Sequence, residues 1–265
     1  MDTSHHVREI IDNGFTLIES LLSDADITKI KEALAPWLQG RHMGRNDFEG
    51  FKTERVYALL AKDRVFAKIV EHPQVLPILD GMLHSDYLLS SILAINCHPG
   101  ETVQNFHRDN IGGVGADTTK IHGISTIWNF DEFTDNNGAT EIIPGSHLWT
   151  DEFPRENDSR SVKVIVPKGS VIIFSGSLFH RGGANNSEQM RLAITPQYCQ
   201  PWLRQLETMV LAVPPDKASM HSERIQQLLG YSVSAPGFMG HVDGLHPRRL
   251  IDSSYKGRRD RGFAS

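Results

Sequence analysis

The sequence has few cysteines, no long apolar run and no excess of basic residues. Two cysteines among 265 residues, Cys97 and Cys199, exclude a tetrathiolate zinc site and a disulfide framework. No stretch approaches the ~20 consecutive apolar residues that a membrane-spanning helix requires, so we expect no membrane partner. Lysine and arginine together number 27 against 32 aspartates and glutamates, a formal net charge of −5. That balance argues against a general nucleic-acid or membrane-surface binder.

The amino terminus also lacks the pattern of a secretory signal peptide. The run MDTSHHVREIIDNG contains acids and histidines but no apolar core. Apolar residues make up 39% of the chain and charged residues 22%, which is ordinary for a globular protein and excludes wholesale disorder. We therefore expect a soluble cytoplasmic protein with reduced thiols.

The length of 265 residues favours one domain, divided by its sequence patterns into three regions. We predict an N-terminal helical region over 1–85, a β-rich core over about 86–205, and a C-terminal helix and tail over 206–265. A capping pattern at Ser23–Asp26 followed by Ile27, Ile30 and Leu34 predicts an amphipathic helix. Further helices are predicted over 54–69, 73–83 and 217–230.

The middle of the chain changes from helical to strand periodicity. Stretches rich in β-branched and aromatic residues are separated by clusters of Gly, Pro, Asn and Asp, and they predict strands at 14–20, 88–96, 122–130, 161–167, 169–179 and 190–199. Loops rather than helices connect the five strands of the core. This pattern predicts an antiparallel sandwich or barrel with flanking helices, a mainly β fold.

The chain ends in a basic segment whose role the sequence leaves open. After Leu245 it has six basic residues against two acidic ones: Arg248, Arg249, Lys256, Arg258, Arg259 and Arg261. A solvated tail and a contact with a partner or substrate are both compatible with this composition.

Three residues in and near the predicted core have the side chains of a metal site. His107 and Asp109 lie two residues apart just after a predicted strand, so on an extended chain both side chains point the same way. His180 ends the apolar stretch GSVIIFSGSLFH, where a turn residue is more usual. Two histidines and one carboxylate form the facial triad of non-haem Fe(II) oxygenases. Zinc accepts the same ligands, so the triad alone does not identify the metal.

Arg191 favours the oxygenase interpretation over a zinc site. It follows His180 after the turn-forming run RGGANNSEQ, so the chain returns to the neighbourhood of the metal. Strand alternation places Arg191 on the same face as Ala193, towards the interior of the barrel. A buried arginine is costly unless a carboxylate meets it. Its planar fork suits the distal carboxylate of a dicarboxylic co-substrate.

Three segments around these residues resemble the phytanoyl-CoA dioxygenase-like family. They are HPGETVQNFHRD, NGATEIIPGSH at 137–147, and FHRGGANNSEQMRLAITPQYCQPWLRQ at 179–205. The resemblance continues in GFTLIESLLSDADI near the N-terminus and GFMGHVDGLHP near the C-terminus, so it covers nearly the whole chain. It implies a double-stranded β-helix core (jelly roll, cupin-like) and a dioxygenase that uses Fe(II), 2-oxoglutarate and O2.

The resemblance also assigns roles to individual residues. It implies that His107, Asp109 and His180 are the iron ligands and that Arg191 binds the C5 carboxylate of 2-oxoglutarate. Gln104 and Thr140 match positions that contact 2-oxoglutarate in natural-product-tailoring members. Arg55 is a further candidate contact with co-substrate or substrate.

The function implied is oxidation of an unactivated C–H bond in a small, largely apolar metabolite, with release of succinate and CO2. Secondary-metabolite biosynthesis is the expected setting, and a homodimer is expected by analogy. Hydroxylation, desaturation, epimerisation, endoperoxide formation and rearrangement remain open. So do an acyl-CoA hydroxylase of the same mechanism, a catalytically silent metal- or ligand-binding relative and, from another class, a zinc hydrolase.

Overall fold

The computed structural model describes residues 2–109, 120–235 and 238–255, which form an antiparallel β core with helices from both ends of the chain. The helices are α1 Thr3–Asn13, α2 Asp24–Leu34, α3 Leu59–Lys62, α4 Ala67–Val70, α5 Leu76–Asp80, α6 Met209–Ala212, α7 Pro215–Ala218 and α8 Glu223–Leu229. The strands are β1 Phe15–Ile18, β2 Thr53–Val56, β3 Leu88–Cys97, β4 Gly123–Asn129, β5 Thr140–Ile142, β6 Val162–Lys163, β7 Val171–Ser175, β8 His180–Gly182 and β9 Arg191–Cys199.

The strands form two sheets. The larger sheet has the order β1-β7-β4-β9-β3-β2 and the smaller one β6-β5-β8, with antiparallel pairing throughout the described residues. The antiparallel, mainly β class predicted from the sequence is therefore confirmed. Neighbours in each sheet are often distant in sequence, so residues from the ends of several strands meet between the sheets.

Strand alternation in the larger sheet separates two apolar clusters. Trp128, Ile173 and Ile194 face one way and pack with buried side chains of the terminal helices. Ile127 and Ala193, each one residue away in the same strands, belong to the second cluster, together with Ile142 of β5. Since successive side chains of a strand point to opposite faces, one face of the larger sheet is covered by helices. Its other face contacts the smaller sheet and borders a cavity.

Several predicted elements differ from the observed ones in the N-terminal third. The predicted helix over 54–69 is wrong in its first part, because residues 53–56 form β2 and pair with β3. Ala58 then adopts a φ of +53° before α3, and Asp63 is extended and caps Val65, which divides the remaining segment into short helices. The predicted helix over 73–83 is reduced to α5, and α1, capped by Asp2, was not predicted.

The C-terminal part shows a similar division. The predicted helix over 217–230 is two helices, because Ser222 accepts a hydrogen bond from the Ile225 amide and starts α8 anew. Arg248 of the basic tail forms an ion pair with Glu223 and lies over the ring of Tyr255. The tail residues from 256 onward lie outside the described part of the chain. Of the helices that the structure describes, none has the length and apolar character of a membrane span.

Candidate metal centre and adjoining cavity

Two segments place the predicted triad at one point between the sheets. His107 and His180 face each other in an antiparallel bridge, in which each backbone amide donates to the other's carbonyl oxygen at 2.9 and 3.0 Å. Asp109 follows two residues later, and its Oδ1 lies 3.6 Å from His180 Nε2 and 3.9 Å from His107 Nε2. The three ligand atoms lie within 4.8 Å of one another, a grouping that could hold one metal ion.

The two imidazole rings are held with Nε2 pointing towards Asp109. His107 Nδ1 lies 3.1 Å from the carbonyl oxygen of Asn105, and His180 Nδ1 lies 3.1 Å from that of Leu178. A carbonyl oxygen accepts only, so Nδ1 carries the proton and Nε2 presents its lone pair. This is the tautomer in which a neutral histidine binds a metal through Nε2.

The carboxylate of Asp109 is oriented by two polar side chains of the larger sheet. Its Oδ2 accepts hydrogen bonds from Ser125 Oγ at 2.6 Å and from Gln197 Nε2 at 2.9 Å. Gln197 is fixed in turn, because its Oε1 accepts from Ser91 Oγ at 2.7 Å. Oδ2 is thereby engaged, and Oδ1 is the oxygen that faces the two histidines.

Burial and the neighbouring groups keep His107 and Asp109 in the protonation states of metal ligands. Burial and the nearby His180 lower the pKa of His107 to about 4, which keeps its imidazole neutral. Burial alone would raise the pKa of Asp109. The two histidines and the hydrogen bonds from Ser125 and Gln197 outweigh burial and lower that pKa. Two neutral imidazoles and one carboxylate are the donor set that a divalent iron or zinc ion binds.

Gln197 provides a test of this orientation. We expect Gln197→Leu to weaken Fe(II) binding by about 10–100-fold, the usual effect of losing a partner of a metal ligand, while the fold is retained. The measurement is calorimetric titration with Fe(II) under argon, alongside thermal unfolding. Gln74→Leu, at an exposed position, is the matched control. Equal Fe(II) affinity in wild type and Gln197→Leu would show that Gln197 does not orient Asp109.

A cavity of about 500 Å³ adjoins the triad and is lined by the inner faces of β3, β4 and β9. Arg191, at the start of β9, enters this cavity and is 5% exposed. Its Nη2 donates to the Gly138 carbonyl oxygen at 2.6 Å, and its guanidinium lies 4.7 Å from the centre of the Phe133 ring. Its Nε has no hydrogen-bond partner, and no carboxylate among the described residues forms an ion pair with it. Burial of the guanidinium lowers the pKa of Arg191.

Gln104, Thr140 and Arg55, the other three predicted contacts, also line this cavity, and they differ in the hydrogen bonds that they form. Gln104 is held on both sides, since its Oε1 accepts from the Gly182 amide at 2.8 Å and its Nε2 donates to the Phe48 carbonyl oxygen. Thr140 is buried in β5, opposite Gly182. Arg55 donates from Nε to the Glu49 carbonyl oxygen at 2.8 Å. Arg55 therefore holds the 48–49 segment over the cavity.

Four further residues of the cavity were not predicted from the sequence: Ser125, Thr195, Gln197 and Glu207. Thr195 and Gln197 share the inner face of β9 with Arg191, so strand alternation from Arg191 contained the signal for both. Ser125 lies opposite Gln197 in the pairing of β4 with β9, which only the sheet order reveals. Glu207 lies beyond the predicted core, and no motif marks it.

Comparison with known proteins identifies related sequences and folds. The sequence model of the phytanoyl-CoA dioxygenase (PhyH) family matches residues 11–193. The dioxygenase trt7 of Aspergillus terreus is 34% identical over 148 residues, which cover 53% of this chain and 52% of that protein. The dioxygenase peniF of Penicillium patulum is 28% identical over 268 aligned positions, covering 90% of this chain and 85% of that protein.

Two solved structures share the architecture. The non-heme alpha-ketoglutarate-dependent carbocyclase SnoK from nogalamycin biosynthesis superposes with a TM-score of 0.59 at 20% identity, covering 74% of this chain and 83% of that one. HygX from Streptomyces hygroscopicus, solved with nickel, 2-oxoglutarate and hygromycin B, gives a TM-score of 0.63 at 15% identity, covering 76% and 88%. The predicted jelly-roll core is thereby confirmed.

Proposed function

The chain belongs to the phytanoyl-CoA dioxygenase family, and on that premise we propose that it is an Fe(II)- and 2-oxoglutarate-dependent dioxygenase of secondary metabolism. One observation carries the co-substrate assignment. Arg191 is a buried guanidinium in the cavity beside the triad, with an unpartnered Nε and no ion pair with a carboxylate of the described residues, although Asp131 lies near enough for its charge to raise the pKa of Arg191. A buried charge of this kind is costly alone, and a dicarboxylic acid that enters the cavity supplies the missing partner.

The residues at this site fit both Fe(II) and 2-oxoglutarate. His107, Asp109 and His180 would hold Fe(II) on one face and leave positions open for co-substrate and O2. Arg191 would bind the far carboxylate of 2-oxoglutarate, with Gln104 and Thr140 at the cavity wall and Arg55 holding the segment above. When bound, iron and 2-oxoglutarate would activate O2, the oxidant, for attack on a substrate C–H bond, and 2-oxoglutarate would be oxidised to succinate and CO2.

The protein's own contribution is positioning and exclusion of water. Ser125 and Gln197 fix Asp109, and the backbone carbonyls of Asn105 and Leu178 fix the two imidazoles. Phe174 packs against the His180 ring at 4.7 Å and Phe48 against the His107 ring at 4.9 Å between ring centres. These contacts hold the three side chains in place before a metal or co-substrate binds, and they limit the access of water to the metal site.

The names of the relatives support a small metabolite as the substrate. SnoK is described from nogalamycin biosynthesis, and HygX was solved with hygromycin B. We propose that this chain also acts on a small molecule rather than on a macromolecule, and the apolar side chains of the cavity wall favour a largely apolar one. We further propose that residues 1–265 form one catalytic domain. We also propose that the protein is located in the cytoplasm and acts as a homodimer. The intact triad and Arg191 argue against a catalytically silent relative, and a zinc hydrolase would not require a buried arginine that forms no ion pair among the described residues.

Turnover of the co-substrate tests the proposal directly. With Fe(II), 2-oxoglutarate, ascorbate and O2, but without an added substrate, we expect slow release of succinate and CO2 in equal amounts. The control is the same protein with Zn(II) in place of Fe(II), which should give none. Absence of succinate from the Fe(II)-loaded protein, with hydrolysis of a test ester by the zinc form, would contradict the proposal and favour the zinc hydrolase.

A further inference from the structure

The cavity continues well beyond Arg191 along the pair formed by β3 and β9. Cys97 lies opposite Arg191 at one end of this pair, and Ser91 lies opposite Gln197 at the other. From residue 97 to residue 91 the strand covers about 20 Å at the usual rise per residue. All four residues line the same cavity. A co-substrate that joins Arg191 to the metal would occupy the space between the two pairs, because Gln197 contacts the metal ligand Asp109. The far end of the cavity, beside Ser91 and Leu206, remains for a second molecule.

Glu207 lies at this far end. Its backbone amide donates to the Ser90 carbonyl oxygen at 2.9 Å, beside the first residues of β3. The backbone amides of Ile92 and Ala58 lie near its carboxylate and lower the pKa of Glu207, but burial outweighs them and raises it. The carboxylate therefore lies between the starts of β3 and α3, at the wall of the cavity.

One oxygen of this carboxylate has no hydrogen-bond partner. Glu207 Oε2 is shielded from solvent and receives no hydrogen bond from the described residues. Lys62 lies near enough for its charge to lower the pKa of Glu207, but its ammonium contacts the Trp37 ring at 4.5 Å from the centre. No ion pair between Lys62 and Glu207 forms among the described residues. A buried carboxylate oxygen left in this state is destabilising until a donor reaches it.

The unpartnered atoms of the cavity wall differ in the partner that each requires. Within the described part of the chain they belong to Arg108, Arg191, Thr195 and Glu207. The Nε atoms of the two arginines donate, and the hydroxyl of Thr195 can donate or accept. An ionised carboxylate oxygen only accepts, so Glu207 is the one of these four that specifies a donor.

Apolar side chains also line the part of the cavity near Glu207. Tyr57 precedes Ala58 in the chain, and Leu206 precedes Glu207. Their side chains are 43% and 56% exposed and line the cavity together with Leu93. Exposed apolar side chains at the mouth of a cavity favour an apolar ligand. The substrate end thus combines apolar side chains with the carboxylate of Glu207.

We infer that Glu207 recognises a hydroxyl or amine group on an otherwise largely apolar substrate. This inference rests on the proposed function, because it assigns the far end of the cavity to the substrate of that reaction. It also separates two candidate substrates. A carboxylate at this position attracts a hydrogen-bond donor and repels the phosphates of an acyl-CoA.

Calorimetric binding under argon tests the inference without turnover, using protein loaded with Fe(II) and 2-oxoglutarate. The probes are farnesol, an apolar alcohol, its methyl ether, which lacks the donor, and octanoyl-CoA. We expect wild type to bind the alcohol at least about tenfold more tightly than the ether, as a hydrogen bond to a charged acceptor does. In Glu207→Gln, which keeps the size and an acceptor for the backbone amides, the two affinities should become equal. Glu188→Gln, at an exposed position, should retain the preference.

Several results would overturn the inference. Equal affinity of wild type for alcohol and ether, including no measurable binding of either, removes the role of Glu207 in recognition. So does an unchanged preference in Glu207→Gln, or tighter binding of octanoyl-CoA than of farnesol by wild type. The visible band given by Fe(II) with 2-oxoglutarate in the same samples separates the two proposals. A band with no preference refutes this inference alone, whereas no band refutes the proposed function and this inference with it.

Discussion

His180→Ala should lose Fe(II) binding and all 2-oxoglutarate turnover while the protein still folds. The side chain presents Nε2 to the triad and lies between the rings of His107 and Phe174, with ring centres 4.3 and 4.7 Å away. Loss of an outer partner of a ligand costs about 10–100-fold in affinity, so loss of a ligand itself should cost more. The deleted ring leaves a small void at the end of β8, and we expect a loss of roughly 1–3 kcal/mol in the free energy of unfolding.

The measurement is Fe(II) titration and succinate release for His180→Ala, with thermal unfolding to confirm the fold. His5→Ala, at an exposed position in α1, is the matched control and should behave as wild type. Full activity in His180→Ala would remove this residue from the metal site. If His180→Ala unfolds, loss of a metal ligand cannot be told from loss of the fold. His180→Gln, which retains most of the side-chain volume, is therefore measured in parallel and should also lose turnover.

Arg191→Met should weaken 2-oxoglutarate binding by about 100-fold or more and leave Fe(II) affinity within about threefold of wild type. Truncating one partner of a buried charge pair costs about 2–5 kcal/mol, and each 1.4 kcal/mol is tenfold in affinity. The arginine does not lie among the triad, so the metal ligands stay in place. Methionine fills the space of the alkyl chain next to Phe133 and so limits the structural loss.

Arg191→Lys distinguishes charge from geometry. Lysine retains the positive charge but not the planar fork, so it should recover only part of the lost affinity. Calorimetric titration with 2-oxoglutarate of the protein loaded with Fe(II) under argon measures both variants. Arg204→Met, at an exposed position, is the matched control. If 2-oxoglutarate affinity in Arg191→Met equals that of wild type, the buried guanidinium is balanced by something other than the co-substrate.

The candidate ligands could be found from the sequence because their positions follow from short-range geometry. His107 and Asp109 are two residues apart, and His180 ends an apolar run of the sequence, so both features are visible without a structure. The predicted strand end at His180 is wrong, because β7 ends at Ser175 and His180 begins β8. That the two strand ends meet in an antiparallel bridge depends on the sheet order. Composition and periodicity gave only an antiparallel sandwich or barrel, and the resemblance to a known family supplied the jelly roll.

The rest of the site required long-range contacts that periodicity does not encode. Ser125 reaches Asp109 because β4 pairs with β9 and places Ser125 beside Gln197. Arg55 was expected on a helix but lies on β2, since pairing with β3 overrides the helical pattern of the segment. Glu207 enters the cavity only because the chain after β9 runs back beside the start of β3.

The most direct test of the central claim is an anaerobic titration of the metal-free protein, first with Fe(II) and then with 2-oxoglutarate. We expect a visible charge-transfer band that appears only when both are present, is absent in His180→Ala, and needs far more 2-oxoglutarate in Arg191→Met. The same band at the same 2-oxoglutarate concentration in Arg191→Met would contradict the role of the arginine. No band in wild type, together with tight zinc binding, would contradict the assignment as an Fe(II)- and 2-oxoglutarate-dependent dioxygenase.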